Sequence, residues 1–198
     1  MIKNKFIILT LLFMISWTKT PFGADNIIIP EGSSEIIEKR GTVASNFIVT
    51  TANPYATNVG YDIIRRGGNA LDAAIASQLI LNLVEPQSSG IGGGAFIMFW
   101  DNKNKILHSY DGRETAPDSA NPYLFIDEKG EIIRRSSAII GGKSVGVPGL
   151  IRVLELAHNK HGKMQWSELF KPAINLSSKG FKLSLRLFKL LKNNKILP

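Results

Sequence analysis

The chain has 198 residues, enough for a single domain with its own hydrophobic core. It contains no cysteine, which excludes disulfides, thiolate catalysis and zinc–thiolate sites. The formal net charge is +8, but seven cations and no acid follow Phe170, so the preceding residues carry only +1. Because this charge is confined to the tail and no stacking aromatics are regularly interleaved with it, we expect no nucleic-acid partner.

Residues 1–24 have the pattern of a secretory signal peptide. Lys3 and Lys5 precede the apolar stretch Phe6–Trp17, which is short for a membrane span, and small residues stand near Ala24. An uncleaved membrane anchor is the alternative. Residues 25–40 follow as an exposed leader. We therefore expect the protein to be exported, to a bacterial periplasm, and to be stabilised by packing alone.

Local signals predict the next elements of the chain. Val43–Thr51 is apolar and β-branched, which is typical of a strand. Asn53 before Pro54 marks the start of a helix that ends at Gly67. Asn69 begins a second helix that is apolar on nearly every side, so we expect this helix to be buried between layers.

Hairpins and two further helices are predicted in the second half. Ala95–Trp100 and Ile106–Tyr110 read as strands joined by a polar turn, and a second hairpin is predicted around Asp127–Gly130. One helix follows Pro148, and another covers Trp166–Ser178. Strands and helices are mixed, so the predicted fold class is α+β or a layered α/β arrangement.

A glycine-rich loop lies between the second helix and the first hairpin. Its glycines are Gly90, Gly92, Gly93 and Gly94. With Ala95 they satisfy the dinucleotide-binding pattern formally, but that site needs a strand before the loop and a helix after it. The order here is reversed, so we exclude a nucleotide cofactor at this loop. Glycines at this density let backbone approach backbone or ligand closely.

Arg113 follows the first hairpin in the sequence DGRETAP, residues 111–117. A planar guanidinium binds both oxygens of a small carboxylate at once. Asp111 and Glu114 stand beside it, so a structural ion pair is the alternative role.

No self-sufficient active site is visible in the sequence. The hydroxyls of Ser88, Ser89, Thr115 and Ser144 lack a patterned base, and no known nucleophile motif surrounds them. Asp72 is interpreted as a capping or network carboxylate and not as a catalytic group. The histidines lack the carboxylates that would complete a ligand set, so neither a metal nor a cofactor is predicted.

Six segments in order resemble γ-glutamyltranspeptidases: GTVAS at 41–45, GGNALDAA at 67–74, GIGGGAF at 90–96, DGRETAP at 111–117, VPGLIRVLELAHNKHG at 147–162 and WSELFKPAINLSSKGF at 166–181. The resemblance covers residues 41–181 as the N-terminal region of a large subunit and leaves 182–198 as a basic truncated tail. It implies an N-terminal-nucleophile hydrolase with an αββα fold. This chain would form a partial layered sandwich, incomplete without the C-terminal part.

The resemblance also implies chemistry. Family members cut themselves into two subunits, and the new N-terminal threonine attacks the γ-glutamyl amide of glutathione or a related compound with its own amine as base. Arg113 occupies the position of the arginine that binds the α-carboxylate of the γ-glutamyl group. The four loop glycines match a loop near that pocket. The threonine has no counterpart here, so no catalytic residue is assigned.

We therefore expect an enzyme fragment that is inactive without a separate chain carrying the small subunit. Two alternatives stay open: an exported, non-catalytic module that binds γ-glutamyl compounds, and an inactive gene remnant. Membrane contact is expected only through the signal peptide or the basic tail, which could lie on anionic lipid as an amphipathic helix.

Overall fold

The computed structural model describes residues 41–193. The predicted signal peptide, the leader and the last five residues of the basic tail lie outside these described residues. Within them the chain forms two strands, a 3₁₀ turn at Gly142–Ser144 and six α-helices. The elements are α1 (Pro54–Arg65), α2 (Ala70–Val84), β1 (Ala95–Asp101), β2 (Ile106–Gly112), α3 (Arg135–Ile139), α4 (Leu150–His161), α5 (Trp166–Lys179) and α6 (Leu185–Asn193). None of the helices in this part of the chain has the length and apolar character that crossing a membrane requires.

The start and end of α1 follow the predicted signals. Asn53 Oδ1 accepts a hydrogen bond from Tyr55 N at 3.1 Å, and Pro54 occupies the first turn, where its missing N–H does no harm. Gly67 then adopts a φ of 94°, a conformation that favours glycine. The capping prediction is confirmed.

The predicted strand over Val43–Thr51 is wrong. These residues form no strand, and Val43 is 97% exposed. β-branched residues favour a strand only where a neighbouring strand and a packing surface exist. In the described part of the chain the hairpin strands pair only with each other, so this segment has no ladder to join.

Helix α2 is the centre of the core, as its apolar composition predicts. It packs against α1, α4 and α5, and Ile75, Ala76 and Ile80 are fully buried. The approach to α1 is close, because a Cβ on Gly60 would lie 2.4 Å from Ser77 Oγ. Burial of this helix gives the loop that follows it a rigid base.

Asp72 anchors the first turn of α2. Its carboxylate accepts hydrogen bonds from Asn69 N at 2.9 Å and from Lys163 N and Met164 N at 3.1–3.2 Å. His158 Nε2 lies 2.9 Å from Met164 O and 3.7 Å from Asp72 Oδ1. The predicted role as a capping and network carboxylate is confirmed, since this single buried group ties α2 to the α4–α5 connection.

Strands β1 and β2 form an antiparallel hairpin, with Ala95 opposite Gly112 and Asp101 opposite Ile106. One face packs on the helical core, and the other presents Phe96, Met98 and Trp100 to solvent. The first predicted hairpin is confirmed. The second is a single bridge between Ile126 and Ile132.

Candidate functional site

A cleft of about 490 Å³ opens at the end of β2. It contains Arg113 and three of the four loop glycines, Gly90, Gly93 and Gly94. The rest of the wall comes from α2, the glycine loop, the ends of the strands, the start of α4 and the residues before α1. These residues are Ala52, Gln78, Leu81, Glu85, Pro86, Ser88, Ser89, Ala95, Glu114 and Leu150. The structure therefore brings the arginine and most of the glycine loop together, although they are separated in sequence.

Arg113 follows a close backbone contact between the end of β2 and the start of α4. A Cβ on Gly112 would lie 2.3 Å from Val153 Cβ, and a Cβ on Gly149 would lie 2.2 Å from Gly112 O. The end of β2 thus touches the first turn of α4 with no room for a side chain at either glycine. Arg113 N then donates to Asp111 Oδ1 at 2.9 Å, which fixes the turn that carries the guanidinium.

The loop glycines fall into two pairs. A Cβ on Gly94 would lie 2.5 Å from Gly112 O and 2.9 Å from Arg113 Cα, and Gly93 O accepts hydrogen bonds from Gly149 N and Leu150 N at 3.0–3.1 Å. Gly90 and Gly92 have no atom within 4 Å of an added Cβ. Tight packing therefore requires Gly94, while Gly90 and Gly92 leave the loop open toward solvent.

Arg113 makes one ion pair and keeps most of its surface free. Its Nη1 lies 3.4 Å from Glu114 Oε2, a separation without hydrogen-bond geometry, and the arginine side chain is 67% exposed. Glu114 Oε2 is buried and makes no hydrogen bond within residues 41–193. Because the pair has no hydrogen bond and the arginine side chain is largely exposed, the guanidinium remains able to receive a carboxylate.

The candidate nucleophiles have no catalytic partner in the described residues. Ser89 Oγ bonds to the amides of Gln78 and Asn82, and Ser144 Oγ donates to Ile139 O. Ser88 lines the cleft. No three potential metal ligands are grouped within residues 41–193.

Sequence reasoning missed two polar residues of the wall, Gln78 and Glu85. Gln78 lies on α2, one turn before the polar residue Asn82, and Glu85 directly follows the helix. Glu85 is buried and accepts from Asn53 Nδ2 at 2.7 Å. Polar positions at such spacing on a buried helix were the available signal, because buried polar groups need partners.

Comparisons with known proteins agree on one family. The family model described as gamma-glutamyltranspeptidase matches residues 56–197. The glutathione hydrolase proenzyme of Bacillus subtilis is 43% identical over 161 residues, which are 81% of this chain and 27% of that protein. Among solved structures, gamma-glutamyltranspeptidase from Pseudomonas nitroreducens in complex with L-DON superposes with a TM-score of 0.71 at 34% identity. That match covers 76% of this chain and 44% of the solved one.

Gamma-glutamyltranspeptidase from Helicobacter pylori gives a TM-score of 0.72 at 31% identity, covering 77% of this chain and 43% of the solved chain. The chain spans about a quarter of the length of the curated relatives it matches. Its mixture of helices and a sheet agrees with the predicted class. The matched family model covers more than half of the residues, and the chain therefore belongs to the γ-glutamyltranspeptidase family.

Proposed function

We propose that this chain forms the carboxylate-binding part of a site that hydrolyses or transfers the γ-glutamyl group of glutathione and related amides. The observation that carries the proposal is the position of Arg113 in a cleft walled by the glycine loop. In the proposed complex, the guanidinium donates two hydrogen bonds to the α-carboxylate of the γ-glutamyl group. The loop backbone then lies beside the same ligand.

The attacking threonine is proposed to come from the part of the family's sequence beyond the matched residues, in a separate chain or elsewhere in a longer polypeptide. The serine and threonine hydroxyls that form hydrogen bonds within residues 41–193 bond to amides, backbone carbonyls and one another, not to a basic side chain. The exposed apolar face of the hairpin supports a second sheet laid over it, as a layered αββα sandwich requires. Export is part of the proposal, supported by the signal-like pattern of residues 1–24.

The proposal is tested by release of p-nitroaniline from γ-glutamyl-p-nitroanilide. The full chain is expressed alone and together with the threonine-bearing segment of the Bacillus subtilis relative, and activity is expected only in the second case. Arg113→Ala and Arg113→Lys are expected to raise KM by roughly 10- to 100-fold, since hydrogen bonds to charged groups carry about 1.5–3 kcal/mol. Lysine does not rescue, because an ammonium lacks the planar fork. An unchanged KM in both variants would remove Arg113 from the site.

A second candidate is a non-catalytic module that binds γ-glutamyl compounds. The exposure of the Arg113 side chain, together with a cleft formed by described residues alone, favours ligand capture without turnover. Saturable binding of L-glutamate that is lost in Arg113→Ala, with no p-nitroaniline release in either expression format, would select this candidate.

A further inference from the structure

Gln78, Asn82 and Ser89 form a closed set of side-chain hydrogen bonds beside the cleft. Gln78 Nε2 donates to Asn82 Oδ1 at 2.8 Å and to Ser89 Oγ at 2.6 Å. Ser89 Oγ in turn donates to Asn82 Oδ1 at 2.7 Å. A carboxamide nitrogen has two hydrogens and a hydroxyl both accepts and donates, so the donor and acceptor types match all three contacts. The second amide atom of Asn82, Nδ2, is buried and has no partner within residues 41–193. We call these residues the Gln78 network.

The Gln78 network joins a rigid helix to a glycine-rich loop. Gln78 and Asn82 lie one turn apart on α2, whose neighbouring side chains Leu79 and Ile80 are buried. Ser89 belongs to the loop, and its N–H donates to Glu85 O at 3.0 Å. Helix α2 therefore holds the first half of the loop by side-chain and backbone bonds together.

The second half of the loop is held elsewhere. Gly93 O accepts from Gly149 N and Leu150 N at the start of α4. Between the anchors at Ser89 and Gly93 lie Gly90 and Gly92, where an added Cβ would meet no atom within 4 Å. The one backbone bond inside this segment runs from Gly93 N to Gly90 O at 3.1 Å. A glycine segment has little stiffness of its own, so the two anchors determine where its backbone lies.

We propose that Gln78, Asn82 and Ser89 are positioning residues for the γ-glutamyl ligand, an inference that rests on the proposed function and deepens it. Gln78, Ser89 and Arg113 line one cleft. Fixing the loop before the ligand arrives removes the ordering penalty from binding, which is how supporting hydrogen bonds raise affinity. The network therefore sets ligand affinity through the loop, while Arg113 contacts the carboxylate.

The test uses the full chain with two disrupting variants, one conservative variant and one control. Ser89→Ala removes the hydroxyl, and Gln78→Met keeps the length of the side chain without its amide. Ser89→Thr keeps the hydroxyl. Ser177→Ala is the control, because the Ser177 hydroxyl bonds only to Ile174 O on the exposed side of α5. Amide hydrogen exchange of residues 87–93 is followed without ligand, and L-glutamate affinity is measured on the same proteins.

The disrupting variants are expected to exchange faster at residues 87–93, while α2 and α4 keep their protection. L-Glutamate affinity is expected to fall about 3- to 10-fold, the effect of one ordinary hydrogen bond. Ser89→Thr and Ser177→Ala should match the wild type in both measurements. Unchanged loop exchange overturns the proposal. An equal rise throughout α2 and α4 also overturns it, because the network would then support only the fold.

The two proposals fail in different ways. If Arg113→Ala weakens L-glutamate binding while Ser89→Ala and Gln78→Met bind as tightly as the wild type, the positioning proposal is wrong and the proposed function stands. If Arg113→Ala leaves binding unchanged, the proposed function is wrong, and a positioning role for a γ-glutamyl ligand falls with it.

Discussion

Two adjacent residues of opposite charge meet in the cleft. Arg113 is largely exposed, whereas Glu114 Oε2 is buried against the glycine loop, with Gly94 at the point where a Cβ would lie 2.6 Å from that oxygen. An α-amino acid head group carries both a carboxylate and an ammonium. A cleft that offers a guanidinium and a carboxylate side by side is chemically matched to such a zwitterion.

Replacing Glu114 with glutamine therefore tests the contact to the ligand's ammonium group separately from the contact to its carboxylate. Glu114→Gln keeps the side-chain size and removes the charge. When this variant is co-expressed with the threonine-bearing segment, we expect KM for γ-glutamyl-p-nitroanilide to rise roughly 10-fold or more. A rise of that size corresponds to the loss of one charge-assisted hydrogen bond. The glutaryl analogue, which lacks the amino group, is the matched substrate and should be affected far less. Equal effects on both substrates would contradict an ammonium contact.

The glycine loop gives a second prediction about single residues. Gly94→Ala is expected to lower the free energy of unfolding by about 1–3 kcal/mol, because its Cβ would press on the main chain of Gly112 and Arg113. Gly92→Ala, in the same loop, should change it by no more than about 0.5 kcal/mol, since open space surrounds that position. Urea denaturation of both variants measures the difference. Equal destabilisation would mean that the loop contacts are not those described.

At the scale of elements, local signals predicted α1, α2, α4 and α5 but not the five-residue helix α3. Caps and glycine stops act within a few residues, so Asn53, Gly67 and Asn69 mark real boundaries. The strand over Val43–Thr51 could not be decided this way, because a strand depends on a partner far along the chain. The cleft could not be predicted for the same reason, because it depends on a contact between Gly94 and Gly112, which are distant in the sequence. Only the family resemblance placed Arg113 near a pocket.

The hairpin and the last residue of α4 share an aromatic cluster that contains His161. The His161 ring stacks on Phe99 and lies beside His108, with ring centroids 4.5 Å apart in each case. Tyr110 Oη lies 2.7 Å from His161 Nε2. Burial, and then His108, lower the pKa of His161 below its ordinary value of 6.5; Lys160 acts in the same direction and Asp101 opposes it.

The lowered pKa of His161 makes stability depend on acidity. The folded state favours neutral His161, so the unfolded chain binds more protons as the pH falls below 6.5. Tm should be constant near pH 7 to 8 and should decline from about pH 6.5 downward through the folded pKa. His161→Phe keeps a ring against Phe99 but cannot titrate, and its decline should be shallower. Identical pH profiles for the two proteins would show that other groups cause the acid sensitivity.

At the scale of the whole molecule, the hairpin is an incomplete layer. One face packs on the helices, while Phe96, Met98 and Trp100 are 68%, 66% and 53% exposed on the other. Three large apolar side chains in a row on one strand face form the kind of patch that a further layer or another molecule covers. The proposed layered sandwich places a second sheet there, supplied by the part of the family fold beyond the matched residues.

A polar substitution on this face tests the proposed second layer. Met98 lies opposite Ser109 and contributes little to the core, so Met98→Asp should leave Tm nearly unchanged. The substitution places an unpaired charge in the proposed sheet contact, where burial costs several kcal/mol, so complementation by the threonine-bearing segment should be lost. It should also reduce self-association of the isolated chain, measured by sedimentation.

Ile132→Asp, at a site that is 81% exposed outside the face, is the matched control and should still complement. Full complementation by Met98→Asp would mean that the second sheet does not cover this face, because a charge buried between two apolar layers cannot be accommodated without disrupting them.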